Sequence, residues 1–593
     1  MSLELVFDCH NAPFAAESRE AMLYSILAFC EGKGASVLYE PVSEDSVRVY
    51  VDDKVEQKVF ACYNKASDYC AEGKFEGAKN SLYKVFKLWP FHSDSYRLMA
   101  QILFLKQDYD KAIDTNLDAL RFDPKNLWAL ILMGNILTAK GNLQGADGYY
   151  SKVLEYHPDN ALALNNLGGV YCKRKDYARG VEYLQKAVDI DPACISAYYG
   201  LALARYNQGR YQDSFDIGVK GLMQGAERVE NVKIVPHLAE QVYDAAERIA
   251  EKTDFFKMAM DVAKDIEKRF NTTVRFIEDD KIAVLAHLEF ASQHKRDYHV
   301  IRYRQSGHFG HLVLHELMHL VMMQEALDAG RLKTVGSDQE NFDLFMERNA
   351  KVFDAVRRDF GVARADGLAE QMFKGLSVQT LSVPLDLFVE QKIYSEYPQF
   401  RAAQYASLYQ MDMDNLKAVT DSANIRYFPQ KVKDVNRTLN MVSAMFSTNR
   451  FGSGNVLKFA TKDPEMTNAM TMFWEFEQAL KSFKPGDEYS LFESFAKRMD
   501  MLDYFRVSMT ESVGETSFKT ESSRKQEAFD KRHANGDPIV DAMMCQYMLG
   551  ALRAFAQMEP EDVAAVAREC AVTGMGGHQD RRIYYVQVGC ISK

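Results

Sequence analysis

The chain has 593 residues, too many for one hydrophobic core, and at roughly 100–200 residues per domain it predicts about three or four domains. Apolar residues make up 47% and charged residues 26%, which excludes a disordered or collagen-like chain and predicts a soluble globular protein. A net charge of −11 argues against a nucleic-acid partner. No stretch of about 18 apolar residues lacks charge, so no membrane partner is expected. The opening MSLELVFDCHNAPF has no basic segment and too short an apolar run for a secretory leader. Nine cysteines form no CxxC pair, so free thiols and a cytoplasmic location are expected.

Residues 1–54 read as a small α/β cap. LELVFD, ASVLYEP and SVRVYVDD have strand patterns, and SREAMLYSILAFCE has a helical one. A repeat then begins. Pro90, Pro124, Pro158 and Pro192 stand 34 residues apart, each after the end of an amphipathic helix: KVFKLWP, DALRFDP, KVLEYHP, KAVDIDP. Counting back, first helices start near Val59, Ser93, Leu127 and Ala161, with a fifth near Ile195 that lacks its proline. Ala66, Ala100, Gly134, Gly168 and Ala202 occupy one small-residue position, and Ala78, Ala112, Ala146, Gly180 and Ser214 another. Tyr69, Leu103, Leu137 and Tyr171 fill the adjoining space. One such helix pair cannot bury its apolar face, so neighbours must stack.

This period and these positions resemble the tetratricopeptide repeat over residues 57–228. The resemblance implies a solenoid of about five helix pairs with a concave groove for a protein or peptide partner. Asn135 and Asn166 fall where some members grip a peptide carboxylate. The matching cationic positions hold Ile131, Ser196 and Gly200, so no carboxylate clamp is expected.

After residue 229 the rhythm stops. Residues 235–270 predict two helices, TTVRFIEDD and YHVIRYRQ predict strands, and the chain is then mostly helical to about residue 575. RIYYVQVGCI predicts a last strand, preceded by the glycine-rich turn GMGGHQD.

The motif that carries chemistry is HELMH. His315 and His319 are i and i+4, so on a helix they share one face and can bind one Zn²⁺. Glu316 lies beside them and can act as a general base toward water. The apolar flanks Leu312, Val313, Leu314, Leu317, Met318, Leu320 and Val321 predict a buried helix, where two histidines and a glutamate need partners. With the strand before it, the motif resembles the zincin metallopeptidases. That resemblance implies a strand edge along a substrate cleft and a third protein ligand.

The metzincin continuation is excluded by Met322 and Glu325. The gluzincin class takes a carboxylate from a later helix, and the candidates are Glu325, Glu347, Asp386 and Glu390. Glu325 lies about 240° around the helix from His319 and points away. Glu347 sits in a charge-rich helix. In SVPLDLFVEQKIY, Pro384 suits a helix start, and Asp386 and Glu390 share one face of an apolar helix. The reading assigns Glu390 as third ligand and Asp386 as acceptor for a histidine N–H. The reverse assignment competes, and the familiar ExxxD order is absent because Tyr394 follows Glu390 by four. His311 with His315 is a second i, i+4 pair, just after His308. Tyr394 and His578 are candidate oxyanion stabilisers.

The fold expected is mainly α: an α/β cap at 1–54, a solenoid at 57–228, and a zincin-like, mostly helical α+β domain at 229–593. The function expected is zinc-dependent peptide hydrolysis, with Glu316 as base and the repeats recruiting the substrate. The alternative is a protein-interaction scaffold whose metal site is structural or vestigial. Hydrolysis of a different bond is a third possibility.

Overall fold

A computed structural model describes residues 3–11, 13–225, 231–282, 284–305, 307–420, 427–459 and 463–509. The last predicted strand, the GMGGHQD turn, His578 and Cys545, Cys570 and Cys590 lie outside the described residues. The fold is mainly helical. Its contacts divide it into two units, Met1–Leu332 with Ser382–Ala423 and Asn436–Phe492, and Lys333–Leu381 with Asn424–Val435 and Glu493–Lys593.

The first unit opens with β1 (Glu4–Asp8), α1 (Arg19–Gly32), β2 (Leu38–Pro41) and β3 (Ser46–Tyr50). The strands form an antiparallel sheet in the order β1-β3-β2. Phe7, Met22, Ile26, Val47 and Val49 share one core with Leu82, Trp89, Phe91 and Phe122. The cap therefore has no separate core. It closes the first helix pairs, as a terminal unit of a stacked array must.

Ten helices follow in pairs: α2 (Asp53–Ala71) with α3 (Phe75–Leu88), α4 (Ser93–Leu105) with α5 (Tyr109–Phe122), α6 (Leu127–Ala139) with α7 (Leu143–Tyr156), α8 (Ala161–Lys173) with α9 (Tyr177–Ile190), and α10 (Ile195–Asn207) with α11 (Tyr211–Gly225). The sequence sets both ends of these helices. Asn126, Asn142 and Asn160 accept the N–H groups of Ala129, Gly145 and Ala163 at 2.8–2.9 Å. Helices α3, α5, α7 and α9 each stop two residues before a proline, because the residue before proline is pushed out of the helical region. The small-residue positions are spatially required: a Cβ on Gly134 would stand 2.4 Å from the Tyr150 ring, and one on Gly180 would stand 2.4 Å from Cys172 Sγ. The first helix starts at Asp53, six residues before the position the repeat implied, because Asp52 caps it through the Val55 N–H at 2.8 Å.

Beyond the solenoid come α12 (Val235–Ala250), α13 (Phe255–Phe270), β4 (Val274–Glu278), β5 (Ala286–Glu289), β6 (His299–Tyr303) and α14 (Phe309–Asp328). The sheet order is β4-β6-β5, with β4 parallel and β5 antiparallel to β6, so β5 is an edge strand.

In the second unit, β7 (Lys333–Gly336) pairs with β8 (Arg506–Met509), and α15 (Gln339–Arg348) and α16 (Ala350–Phe360) follow β7. Phe345 packs on Phe353 and Phe373 at 5.7 and 5.1 Å between ring centres. Helix α17 (Val362–Glu396) starts in this unit and continues into the first from Ser382. Pro384 was expected to begin a helix and instead lies inside α17. Its missing N–H costs one helical bond, which the packed turns on either side tolerate.

Helix α18 (Arg401–Thr420) packs against the end of the solenoid. Tyr405 donates its hydroxyl to Ala239 O of α12 at 2.9 Å, and its ring lies 5.8 Å from Phe215 of α11. Gly452 follows the helix Gln430–Phe451, at φ +70°, with an added Cβ 2.7 Å from Leu222 C and Cβ. Gly452→Ala meets both left-handed backbone strain and backbone overlap, so a loss of at least about 2 kcal/mol is expected. A thermal midpoint equal to wild type would show that this junction relaxes freely.

Glu488 gives the first unit a pH dependence. Burial pushes its carboxyl up to about 7, against backbone hydrogen bonds from its own N–H and from the Gly486 N–H, the latter at 2.8 Å. From about pH 4.5 to 7 the unfolded carboxyl ionises while the folded one keeps its proton, so its contribution to stability falls as pH rises. Glu488→Gln is expected to flatten that decline and to be about 2–3 kcal/mol more stable than wild type at pH 8. Melting curves from pH 4.5 to 8 check the sign, and a variant that is less stable at pH 8 would contradict it.

Candidate metal centre

Helix α14 buries Val313, Leu314, Leu317, Met318, Leu320 and Val321 against the fold. That apolar face fixes the helix rotation and brings His315 and His319, one turn apart, to the side facing α17. There they meet Asp386. His315 Nε2 and His319 Nε2 are 3.0 Å apart. Asp386 Oδ1 lies 3.1 Å from His319 Nε2 and 3.5 Å from His315 Nε2. Among the described residues these three form a group able to hold a metal ion.

The donor set fits zinc. Ligand atoms about 2.0–2.1 Å from a tetrahedral Zn²⁺ stand about 3.3 Å from one another. The three separations here, 3.0, 3.1 and 3.5 Å, bracket that value. Two imidazole nitrogens and one carboxylate also match the open, three-ligand sites that keep a fourth position free.

The two carboxylates of α17 stand the other way round from the sequence expectation. Glu390, expected as the third ligand, lies behind His315. Its Oε1 accepts from His315 Nδ1 at 2.8 Å, and its Oε2 stands 3.3 Å from His311 Nε2. Asp386, expected behind a histidine, is the one at the cluster. The reason is helix register. Residue numbers rise along α17 as they fall along α14, so 386 meets 319 and 390 meets 315 and 311. An i, i+4 carboxylate pair shows that both face α14, but not which histidine each meets.

This arrangement orients the histidine ring. His315 Nδ1–H donates to Glu390, and its Nε2 faces Asp386 and His319, where a metal ion would have to displace the Nε2 proton to take the lone pair. Burial opposes charge on Asp386, yet hydrogen bonds and attraction from His315 and His319 prevail and hold its pKa down at about 2. Burial likewise opposes charge on His315, and Asp386 and Glu390 outweigh it, raising its pKa well above normal. The two carboxylates and the histidines thus compensate one another's charge.

Glu316 faces the sheet. Its Oε2 accepts the Leu288 N–H of β5 at 3.0 Å. Leu288 pairs with Ile301 of β6 on one side, so its N–H points to the free edge of the strand. The edge strand beside α14 is thus β5, and not the expected YHVIRYRQ segment, which forms the central β6. AHLE is too short for its alternation to stand out from the flanking loop.

The other candidates lie elsewhere. Glu325 pairs with Arg269 at 2.6 Å. Glu347 is exposed on α15. Tyr394 donates its hydroxyl to Arg450 O at 3.1 Å. His308 pairs with Glu247 at 2.7 Å. His311 is buried against Glu390 and does not join His315 as a ligand pair. Asp8, Cys9 and His10 form a second group of possible ligands, but Asp8 Oδ1 already accepts the His10 N–H at 2.8 Å.

On the solenoid, Asn135, Asn165, Asn166, Lys173, Tyr199 and Asn207 line a cavity of about 680 Å³. Asn135 Oδ1 accepts from Tyr150 Oη at 2.7 Å and from Asn166 Nδ2 at 3.0 Å. Ser196 and Gly200 contribute no charge to this wall, and Ile131 is buried.

The tetratricopeptide repeat family matches residues 63–126 and 131–194. The chain is similar to the protein CTR9 homolog of Arabidopsis thaliana, with 27% identity over 146 residues, 24% of this chain and 13% of that one. It is similar to BBSome complex member BBS4 of Bos taurus, with 22% identity over 34% of this chain and 44% of that one. It is also similar to mitochondrial import receptor subunit TOM70 of Homo sapiens, with 24% identity over 28% of this chain and 22% of that one. The chain therefore spans less than half the length of these relatives. Among solved structures it resembles the type IV pilus biogenesis factor PilW, with 17% identity over 37% of this chain and 96% of that one, at a TM-score of 0.30. The protein solved as MamA is similar at 20% identity over 28% of this chain and 92% of that one, with a TM-score of 0.25. Residues 63–126 and 131–194 match the tetratricopeptide repeat, and the helix pairs there stack as a solenoid.

Proposed function

We propose that this chain is a protein-binding tetratricopeptide solenoid joined to a zinc-dependent peptide hydrolase site. The interaction part has the support of the family match and of relatives named as a complex member and an import receptor subunit. The hydrolase part rests on one observation: His315, His319 and Asp386 converge at zinc-ligand spacing beside a glutamate that is not needed as a ligand.

His315, His319 and Asp386 would hold the zinc, which when bound would supply a Lewis acid to acidify water and polarise a carbonyl. The chain's own residues do the rest. Leu288 N–H fixes Glu316 through Oε2, which leaves Oε1 to take a proton from the attacking water and pass it to the departing amine. Glu390 keeps His315 Nε2 turned to the site. The outer edge of β5, apart from the Leu288 N–H that Glu316 holds, offers its remaining backbone groups to an extended peptide, which favours a peptide bond over other scissile bonds.

A mixed peptide library incubated with the full chain tests the reading. New termini, detected by mass spectrometry, are expected with the zinc-loaded protein, to vanish with a chelator and to return on adding zinc. Termini that persist under chelation would exclude this site as their source.

The alternative, an interaction protein whose metal site is non-catalytic, is favoured by the comparisons, since the family match falls on the repeats. It predicts zinc binding with no cleavage of any library peptide.

A further inference from the structure

Behind the candidate metal centre stands a second layer of buried polar groups. Gln404 of α18 is fully buried. Its Nε2 donates to Glu390 O at 2.8 Å and to Glu390 Oε2 at 2.7 Å. Its own Oε1 is buried and has no partner among the described residues. The amide orientation is forced, because the reverse would press an oxygen against two acceptors.

A buried amide with an orphaned oxygen is a poor packing residue. Methionine would fill nearly the same volume with no orphaned oxygen of its own. The two donor hydrogens do something methionine cannot: they hold Glu390 by both main chain and carboxylate. Glu390 in turn holds His315 through Nδ1 at 2.8 Å. His311, buried on the other side, approaches the same Oε2 at 3.3 Å and leaves its own Nδ1 without a partner among the described residues. Two buried side chains thus accept incomplete hydrogen bonding, and both are turned to one carboxylate.

We infer that Gln404 is a positioning residue for the metal site, acting through Glu390 on the orientation of His315. This inference rests on the metal-site reading above. It adds that the site's affinity is set from α18, the helix that also packs on the end of the solenoid through Tyr405.

The test compares wild type with Gln404→Met and Gln404→Glu, using full-length protein. Zinc affinity is measured by chelator competition, cobalt(II) replaces zinc for the visible spectrum, and the metal-free proteins are melted. Gln404→Met is expected to melt somewhat below wild type when metal-free, because the buried Glu390 carboxylate loses its donor, and also to bind zinc about 10–100-fold more weakly and to shift the cobalt bands. Gln404→Glu, which sets an acceptor against Glu390, is expected to bind more weakly still. A Gln404→Met protein with wild-type zinc affinity and cobalt spectrum overturns the inference and leaves the metal site standing. One that melts lower without a spectral change gives Gln404 a packing role and overturns it as well. A wild type that binds no zinc overturns both readings together.

Discussion

Glu316→Gln is expected to keep zinc and to lose peptide hydrolysis by about 10²–10⁴-fold, the usual contribution of a positioned general base. The separation of these two effects follows from the structure. Glu316 is not among the ligating atoms, so its charge is not needed to hold the metal. Its Oε2 accepts the Leu288 N–H, and a glutamine oxygen can keep that bond while its nitrogen cannot take a proton. Turnover on a library-derived peptide and zinc content, measured on one preparation, check both halves. Loss of zinc in Glu316→Gln would place the residue among the ligands, and full activity would remove it from the reaction.

The second large effect separates the two carboxylates of α17. Asp386→Ala is expected to abolish stoichiometric zinc binding, because two histidines alone make a weak site. Glu390→Ala is expected to weaken it by about 10–100-fold, the range for a group that orients a ligating histidine. The distances fix this order, since Asp386 Oδ1 is 3.1 Å from His319 Nε2 while Glu390 reaches His315 only through Nδ1. The assignment expected from sequence predicts the opposite order. Competition with a chelator of known affinity distinguishes them, and a larger loss in Glu390→Ala would restore Glu390 as the ligand.

The solenoid was legible because its signals are local and repeat. A proline every 34 residues, a cap three residues before a helical N–H, and a small side chain where two helices touch each act within one helix pair. Gly134 against Tyr150 shows how directly the composition reports the packing. The histidine pair was legible for the same reason, since i and i+4 on one helix needs no tertiary information. Which carboxylate stands at the two histidine Nε2 atoms was not. Asp386 and Glu390 share a face, and only the register of α17 on α14 decides which meets His319. Leu288 and Gln404 were invisible for a related reason. One acts through its main-chain N–H, which the sequence does not label. The other is a glutamine whose role appears only when α18 brings it within 2.7 Å of Glu390. Pro384 misled because a helix end is a favoured place for proline but not a required one, and α17 runs through it.

The central claim is that His315, His319 and Asp386 hold zinc. Elemental analysis of the purified full-length chain, after reconstitution with zinc and removal of free metal, tests it most directly. About one zinc per chain, absent from Asp386→Ala, is the predicted result. A wild-type protein without zinc would contradict the account and leave a tetratricopeptide interaction protein whose buried histidines and carboxylates only hydrogen-bond one another.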